Sequence, residues 1–181
     1  HDAIEVTLGT LTAGSRRLAV FRLGDLPAGP AGGSLSFIAR LRWRRPGHAD
    51  ELTAGPVQTE LTWASGKLNS AQTKDPDLAL DAARAWQASV VQKLVSLNRD
   101  GRFDEATSLL GEEYRQLKRY CKDVPGTESL LVQLDATRRR IRHRWSDRTR
   151  KEMRLTTYKM LRSETDHRTS ERGTWETYLD S

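Results

Sequence analysis

Few side chains here are of a type and spacing that does chemistry. The four histidines are His1, His48, His143 and His167. Only His143 has a suggestive neighbour, Asp147, four residues on and therefore on the same face of a helix. Zinc needs three or four such ligands, so a surface His–Asp pair is the expectation. Cys121 is the single cysteine. Lys118, Arg119 and Lys122 beside it have the sign that lowers a thiol pKa. No partner signature for a nucleophile accompanies them, and a semi-buried structural thiol is expected. Ser34-Leu-Ser36 and the glycines between 29 and 33 match neither a phosphate-binding loop nor a dinucleotide fingerprint. They read as a hairpin or inter-sheet connection. No catalytic, cofactor-binding or metal-ligating residue is assigned, no cofactor is implied, and the chain reads as a non-enzyme.

Charge is the stronger signal. Arg138, Arg139, Arg140, Arg142, Arg144, Arg148, Arg150, Lys151 and Arg154 fall within 17 positions. Residues 127–163 hold 11 Lys+Arg and 4 Asp+Glu, or +7, against +6 for the whole chain, so the remainder is close to −1. At 100° per residue the cations spread around much of a helix. Three readings fit: a solvated face with pairs such as Asp147–Lys151, an acidic protein partner, or nucleic acid. The last lacks interleaved aromatics and a known binding motif. Arg139, Arg142 and Lys151 are the candidate partner contacts. Trp175 and Tyr178, behind a polar spacer, are two more, or else they pin the tail to the body.

These residues need elements to position them, and the hydropathy period changes along the chain. Ile4, Val6 and Leu8 alternate with polar residues, as in a strand. Residues 17–23 are apolar on both faces. Leu35, Phe37, Ala39, Leu41 and Trp43 alternate with Ser36, Arg40, Arg42 and Arg44. Val57, Thr59, Leu61 and Trp63 share another face. Glycine and proline punctuate every gap. From Pro76 the period becomes helical: Ala79, Ala83, Trp86, Val90, Leu94 and Leu97 form one stripe. Leu109, Leu110, Leu117, Tyr120 and Val124 continue a second, after a break at 98–102. A third helix is expected from about Thr127 to Ser163, which at 1.5 Å per residue is roughly 55 Å. That exceeds the width of a domain this size, so part of it should project or pack on a partner.

The predicted fold class is α+β: an antiparallel β-sandwich-like sheet, then a helical hairpin and one long basic C-terminal helix. The predicted segments are a β-sandwich-like domain at 1–64, a connector at 65–75, a three-helix region at 76–163, and a polar tail with an aromatic tag at 164–181. Trp43, Trp63, Trp86 and Leu94 are the expected sheet–helix core. No apolar run approaches the ~18 residues of a membrane helix. A lone cysteine suits a reducing, cytoplasmic setting. The chain begins at His1 and is strand-like by Ile4, so it reads as a fragment or processed product, with an incomplete sheet as one alternative.

Gly101-Arg-Phe-Asp-Glu-Ala106 and the alanine placement resemble one tetratricopeptide hairpin, although one hairpin is not an array. A broader likeness rests on the Leu23-Gly-Asp-Leu-Pro-Ala-Gly29 turn, the Leu35–Arg44 strand and the helical phrase from Ala83 to Leu110. Their order resembles the region after the von Willebrand factor A (VWA) domain in bacterial, especially actinobacterial, VWA-domain proteins. The resemblance covers residues 4–124 and its motifs are loose. It implies an accessory scaffold that holds the VWA domain or engages its partners by protein–protein interaction. The Asp-x-Ser-x-Ser metal loop of such domains does not occur in this sequence, so no metal site is carried over.

Overall fold

The computed structural model describes residues 3–11, 18–24 and 29–162. Its elements are β1 (Ser34–Arg44), β2 (Glu51–Thr62), α1 (Gly66–Ala71), α2 (Pro76–Arg99), α3 (Phe103–Tyr120), α4 (Glu128–Arg140) and α5 (Asp147–Arg162). The chain divides into two compact units. One is Arg22–Thr73, and the other joins Lys74–Ser181 with His1–Phe21.

The first unit is an antiparallel hairpin. Arg45-Pro46-Gly47-His48 turns it, with His48 N–H donating to the Arg45 carbonyl at 3.1 Å. Gly47 sits at φ +76°, the conformation such a turn requires of its third residue. In register, Leu35 faces Leu61, Phe37 faces Thr59, Ala39 faces Val57, Leu41 faces Ala54 and Trp43 faces Leu52. A bulge between Ala39 and Leu41 absorbs the extra residue of Gly55-Pro56 in β2. The period of two puts these ten residues on one side, and only Thr59 among them is polar. The other side is polar apart from Ile38, which faces Gln58. There Ser36 Oγ meets Glu60 at 3.3 Å, and Arg44 pairs with Glu51 at 3.7 Å. The glycine-rich loop closes on Trp63: Gly32 N–H donates to the Trp63 carbonyl and Trp63 N–H to that of Gly33. A Cβ on Gly29 would stand 2.0 Å from Trp63 Nε1.

The helical unit is built around α2. Asp75 caps it, with Oδ1 accepting from Leu78 N–H at 3.0 Å, and Pro76 occupies the first turn. Arg102 N–H returns to the Leu97 carbonyl and Gly101 N–H to that of Asn98, which ends α2 in a Schellman turn with Gly101 at φ +75°. α3, α4 and α5 all pack on α2. Leu94, Leu110, Leu117, Leu134, Ile141 and Met153 are fully buried between them. Trp86 is only partly buried. It donates to the buried Glu113 carboxylate at 2.7 Å and tilts against Tyr120 with ring centroids 5.8 Å apart. Buried Gln87 ties α2 to α4 by donating to the Leu130 carbonyl and Gln133 Oε1.

Three expectations change. Among the described residues the sheet has two strands and no second layer, so a sandwich is not formed. Residues 4–8 alternate as a strand does and residues 18–23 are apolar on both faces, yet neither segment joins a ladder. Alternation marks a face, but pairing needs an edge to receive it. The single 55 Å helix is two helices, α4 and α5, about 20 Å and 24 Å long at 1.5 Å per residue, separated by residues 141–146. Finally, Trp43 is 40% exposed and stands outside the buried core, whose members all lie in the helical unit.

Candidate partner-binding site

The basic run is bent into an elbow at residues 141–146. Ile141 and Trp145, four residues apart, have the spacing of a continuous helix. Both are buried, but through a turn instead. The cause is Asn98, wholly buried near the end of α2. Its Nδ2 donates to the His143 carbonyl at 2.8 Å, and its Oδ1 accepts from Trp145 N–H at 2.9 Å. One amide thus satisfies two backbone groups that a helix would have paired internally. Trp145 Nε1 donates to the Arg140 carbonyl at 3.2 Å, covering the last turn of α4. Ser146 Oγ accepts from Thr149 N–H at 3.1 Å and starts α5. The bend lets α5 fold back onto α2 instead of projecting.

The elbow sorts the cations into two groups. Arg138 and Arg139 share Asp135, at 3.0 and 2.9 Å. Arg138 also lies over the Tyr114 ring, 5.3 Å from its centroid. Arg150 is mostly buried and donates to the Trp145 carbonyl and to Asp147. These residues brace the bend. Arg142 and Arg144 on the loop, with Arg148 and Lys151 on the first turns of α5, are exposed and enter no ion pair among the described residues. Arg148 and Lys151 are three apart and share a helix face.

Of the predicted contacts, Arg142 and Lys151 therefore belong to the elbow. Arg139 is committed to Asp135, although its side chain stays exposed. Trp175 and Tyr178 lie outside the described residues. The expected Asp147–Lys151 pair is replaced by Asp147–Arg150. His143 sits in the loop, held by its carbonyl, so the helical His143–Asp147 face does not form. The residue that sequence reasoning missed is Asn98. It reads as an ordinary helix-ending polar residue, and its partners lie 45 and 47 positions away. Ser146-Asp147 was the local signal, since that pair has the form of a helix start.

Cys121 is buried, and burial pushes its thiol above the ordinary range, against the smaller opposing effects of a Thr127 hydrogen bond and Lys74. That direction is opposite to the activation a reactive thiol needs. Among the described residues no group of three His, Cys, Asp or Glu is placed to hold a metal ion. No helix among them is long and apolar enough to cross a membrane. Comparison with known protein families, with curated proteins and with solved structures finds no match.

Proposed function

We propose that this chain is a non-catalytic protein-interaction module and that the elbow is its contact surface for an acidic protein partner. The observation behind it is that Arg142 and Arg144, on a loop fixed by Asn98, and Arg148 and Lys151, on the first turns of α5, are exposed and enter no ion pair among the described residues. A fixed loop loses little entropy on binding, so its charges are pre-organised. The likeness of residues 4–124 to regions following VWA domains suggests the setting: an accessory region of a bacterial VWA-type scaffold.

Fluorescence anisotropy tests this with two probes, a labelled glutamate-rich peptide and labelled mixed-sequence DNA and RNA, from low to physiological salt. Peptide binding that Arg142→Glu with Lys151→Glu abolishes supports the proposal. Binding unchanged by that double variant overturns it. The +7 of residues 127–163 favours nucleic acid as the second reading. That reading gains if micromolar nucleic-acid binding falls steeply with salt, because each phosphate contact releases counterions.

A further inference from the structure

α5 presents two unlike faces. Thr149, Met153 and Thr157, at spacings of four, are buried on the side that packs toward α2. On the opposite side Arg148, Lys151, Leu155 and Tyr158 recur at three, four and three, which places them on one exposed stripe. Leu155 and Tyr158 keep 50% and 46% of their surface exposed. Asp147, the one exposed acid of α5 among the described residues, is held by Arg150. The surface therefore runs from the elbow cations, Arg142 and Arg144 included, to an apolar end one to two turns along α5. A purely acidic ligand would leave that end uncovered. Two apolar side chains are also too few to sink into a bilayer surface. The ligand that fits is a short peptide segment that is acidic and apolar at once.

The chain carries such a segment itself. Residues 173–181 read Gly173-Thr-Trp-Glu-Thr-Tyr-Leu-Asp-Ser181. Glu176 and Asp180 are set against no lysine or arginine there, and Trp175, Tyr178 and Leu179 lie between and beside them. These residues lie outside the described ones, but their reach follows from chain length. α5 ends at Arg162. Residues 163–174 span up to about 40 Å when extended. From Arg162 back to Arg148 along the helix is about 21 Å, so the segment reaches the whole stripe with length to spare. A tether that short also holds it at an effective concentration in the millimolar range.

We infer that residues 175–180 of this chain dock on the α5 stripe, with Glu176 and Asp180 toward the elbow cations and Trp175 and Tyr178 toward Leu155 and Tyr158. This docking rests on the acidic-ligand surface proposed for the elbow and gives that surface a resident ligand. An outside acidic partner must then displace it. For a segment whose own Kd is about 0.1 mM, a millimolar effective concentration closes about nine molecules in ten, and an outside ligand binds about tenfold more weakly than to the open form.

Two measurements on the whole chain test this. A nitroxide on Ser181→Cys, with Cys121 buried and so spared the label, should broaden the backbone amide resonances of residues 148–155. Adding Glu176→Gln with Asp180→Asn should remove the broadening. In the unlabelled chain, those two substitutions should raise the affinity of a labelled glutamate-rich peptide about tenfold by fluorescence anisotropy. Trp175→Ser with Tyr178→Ser, which changes no charge, should raise it as well. Unchanged helical circular dichroism would confirm that each variant folds. Absence of broadening at α5, or broadening at β1 instead, overturns the inference. So does a rise in affinity confined to the charge variants, which would be general electrostatics. Peptide binding that Arg142→Glu with Lys151→Glu abolishes, but that neither tail variant moves, supports the elbow and overturns the docked segment. Broadening at α5 with no peptide bound by any variant supports the docked segment and removes the outside partner.

Discussion

Leu94, Leu110, Leu117 and Leu134 in the helical unit have no surface left exposed, while Leu41, Trp43 and Val57 in the hairpin keep two-fifths to three-fifths of theirs. Both units are amphipathic by sequence, and only one closes. α2 carries apolar residues around enough of its circumference to receive α3, α4 and α5. This two-stranded sheet has one apolar face, and α1, the one helix of its own unit, does not pack on the strands. Polar satisfaction differs in the same way. In the helical unit Asn98 and Trp86 each bond to partners far along the chain. In the hairpin the contacts of Ser36 with Glu60 and Gln58 and of Arg44 with Glu51 are exposed and lie at 3.3–3.7 Å, and such contacts stabilise by about 1 kcal/mol or less. The helical unit thus buries its apolar side chains within itself, while Leu41, Trp43 and Val57 of the hairpin stay exposed.

The contrast predicts unequal responses to truncation. Leu94→Ala should cost about 4 kcal/mol in urea unfolding, from a fully buried site that cannot collapse around the cavity. Val57→Ala, in the exposed face, should cost under about 1 kcal/mol in dilute solution. Equal costs would break the comparison. Asn98→Ala should come next, at about 3 kcal/mol, because it strands the buried Trp145 N–H and the part-buried His143 carbonyl. If the elbow is the contact surface, the same variant should weaken binding of an acidic peptide without touching any cation. Asn98→Asp, which keeps the acceptor for Trp145, should fall between.

The third prediction concerns pH. Burial raises the Cys121 thiol and the Tyr120 phenol above their ordinary values of 9.0 and 10.0. A group raised in the folded state contributes fully below its unfolded pKa, and that contribution is lost as pH rises through its folded one. Stability should therefore hold to about pH 9 and then decline, and Cys121→Ala should flatten the first part of the decline. Alkylation of Cys121 by iodoacetamide at pH 8 should likewise be slow until the chain is unfolded. The smallest effect lies in acid. Asp100 and Glu105 are held below their ordinary values, chiefly by hydrogen bonds from Arg99 and Arg102. Their contribution is present above the carboxylate range and disappears as pH falls through it. Both are fully exposed, so thermal unfolding should shift only slightly.

These residues also mark what a sequence can and cannot tell. Asp75-Pro76 announced α2, and residues 98–102 its end, because caps and turns are local chemistry. The Leu35–Trp43 alternation announced β1 for the same reason. The bend at 141–146 was hidden, since Ile141 and Trp145 keep helical spacing and the residue that breaks the helix, Asn98, is more than forty positions away. Residues 4–8 and 18–23 misled in the reverse sense, because alternation in the first and an apolar run in the second specify burial and not a neighbouring strand. In the candidate site, Arg142 and Lys151 were legible as charge. Which arginines are spent on Asp135, Asp147 and Tyr114 depended on the fold.

The most direct test of a closed body beside an open hairpin is native-state hydrogen exchange at two protein concentrations, read peptide by peptide. α2 to α5 should exchange slowly as one block at both concentrations, with the Trp145 amide held by Asn98 included. Amides of β1 should exchange orders of magnitude faster. Hairpin amides as protected as α2 in dilute solution would contradict it, because the hairpin would then be closed without a partner.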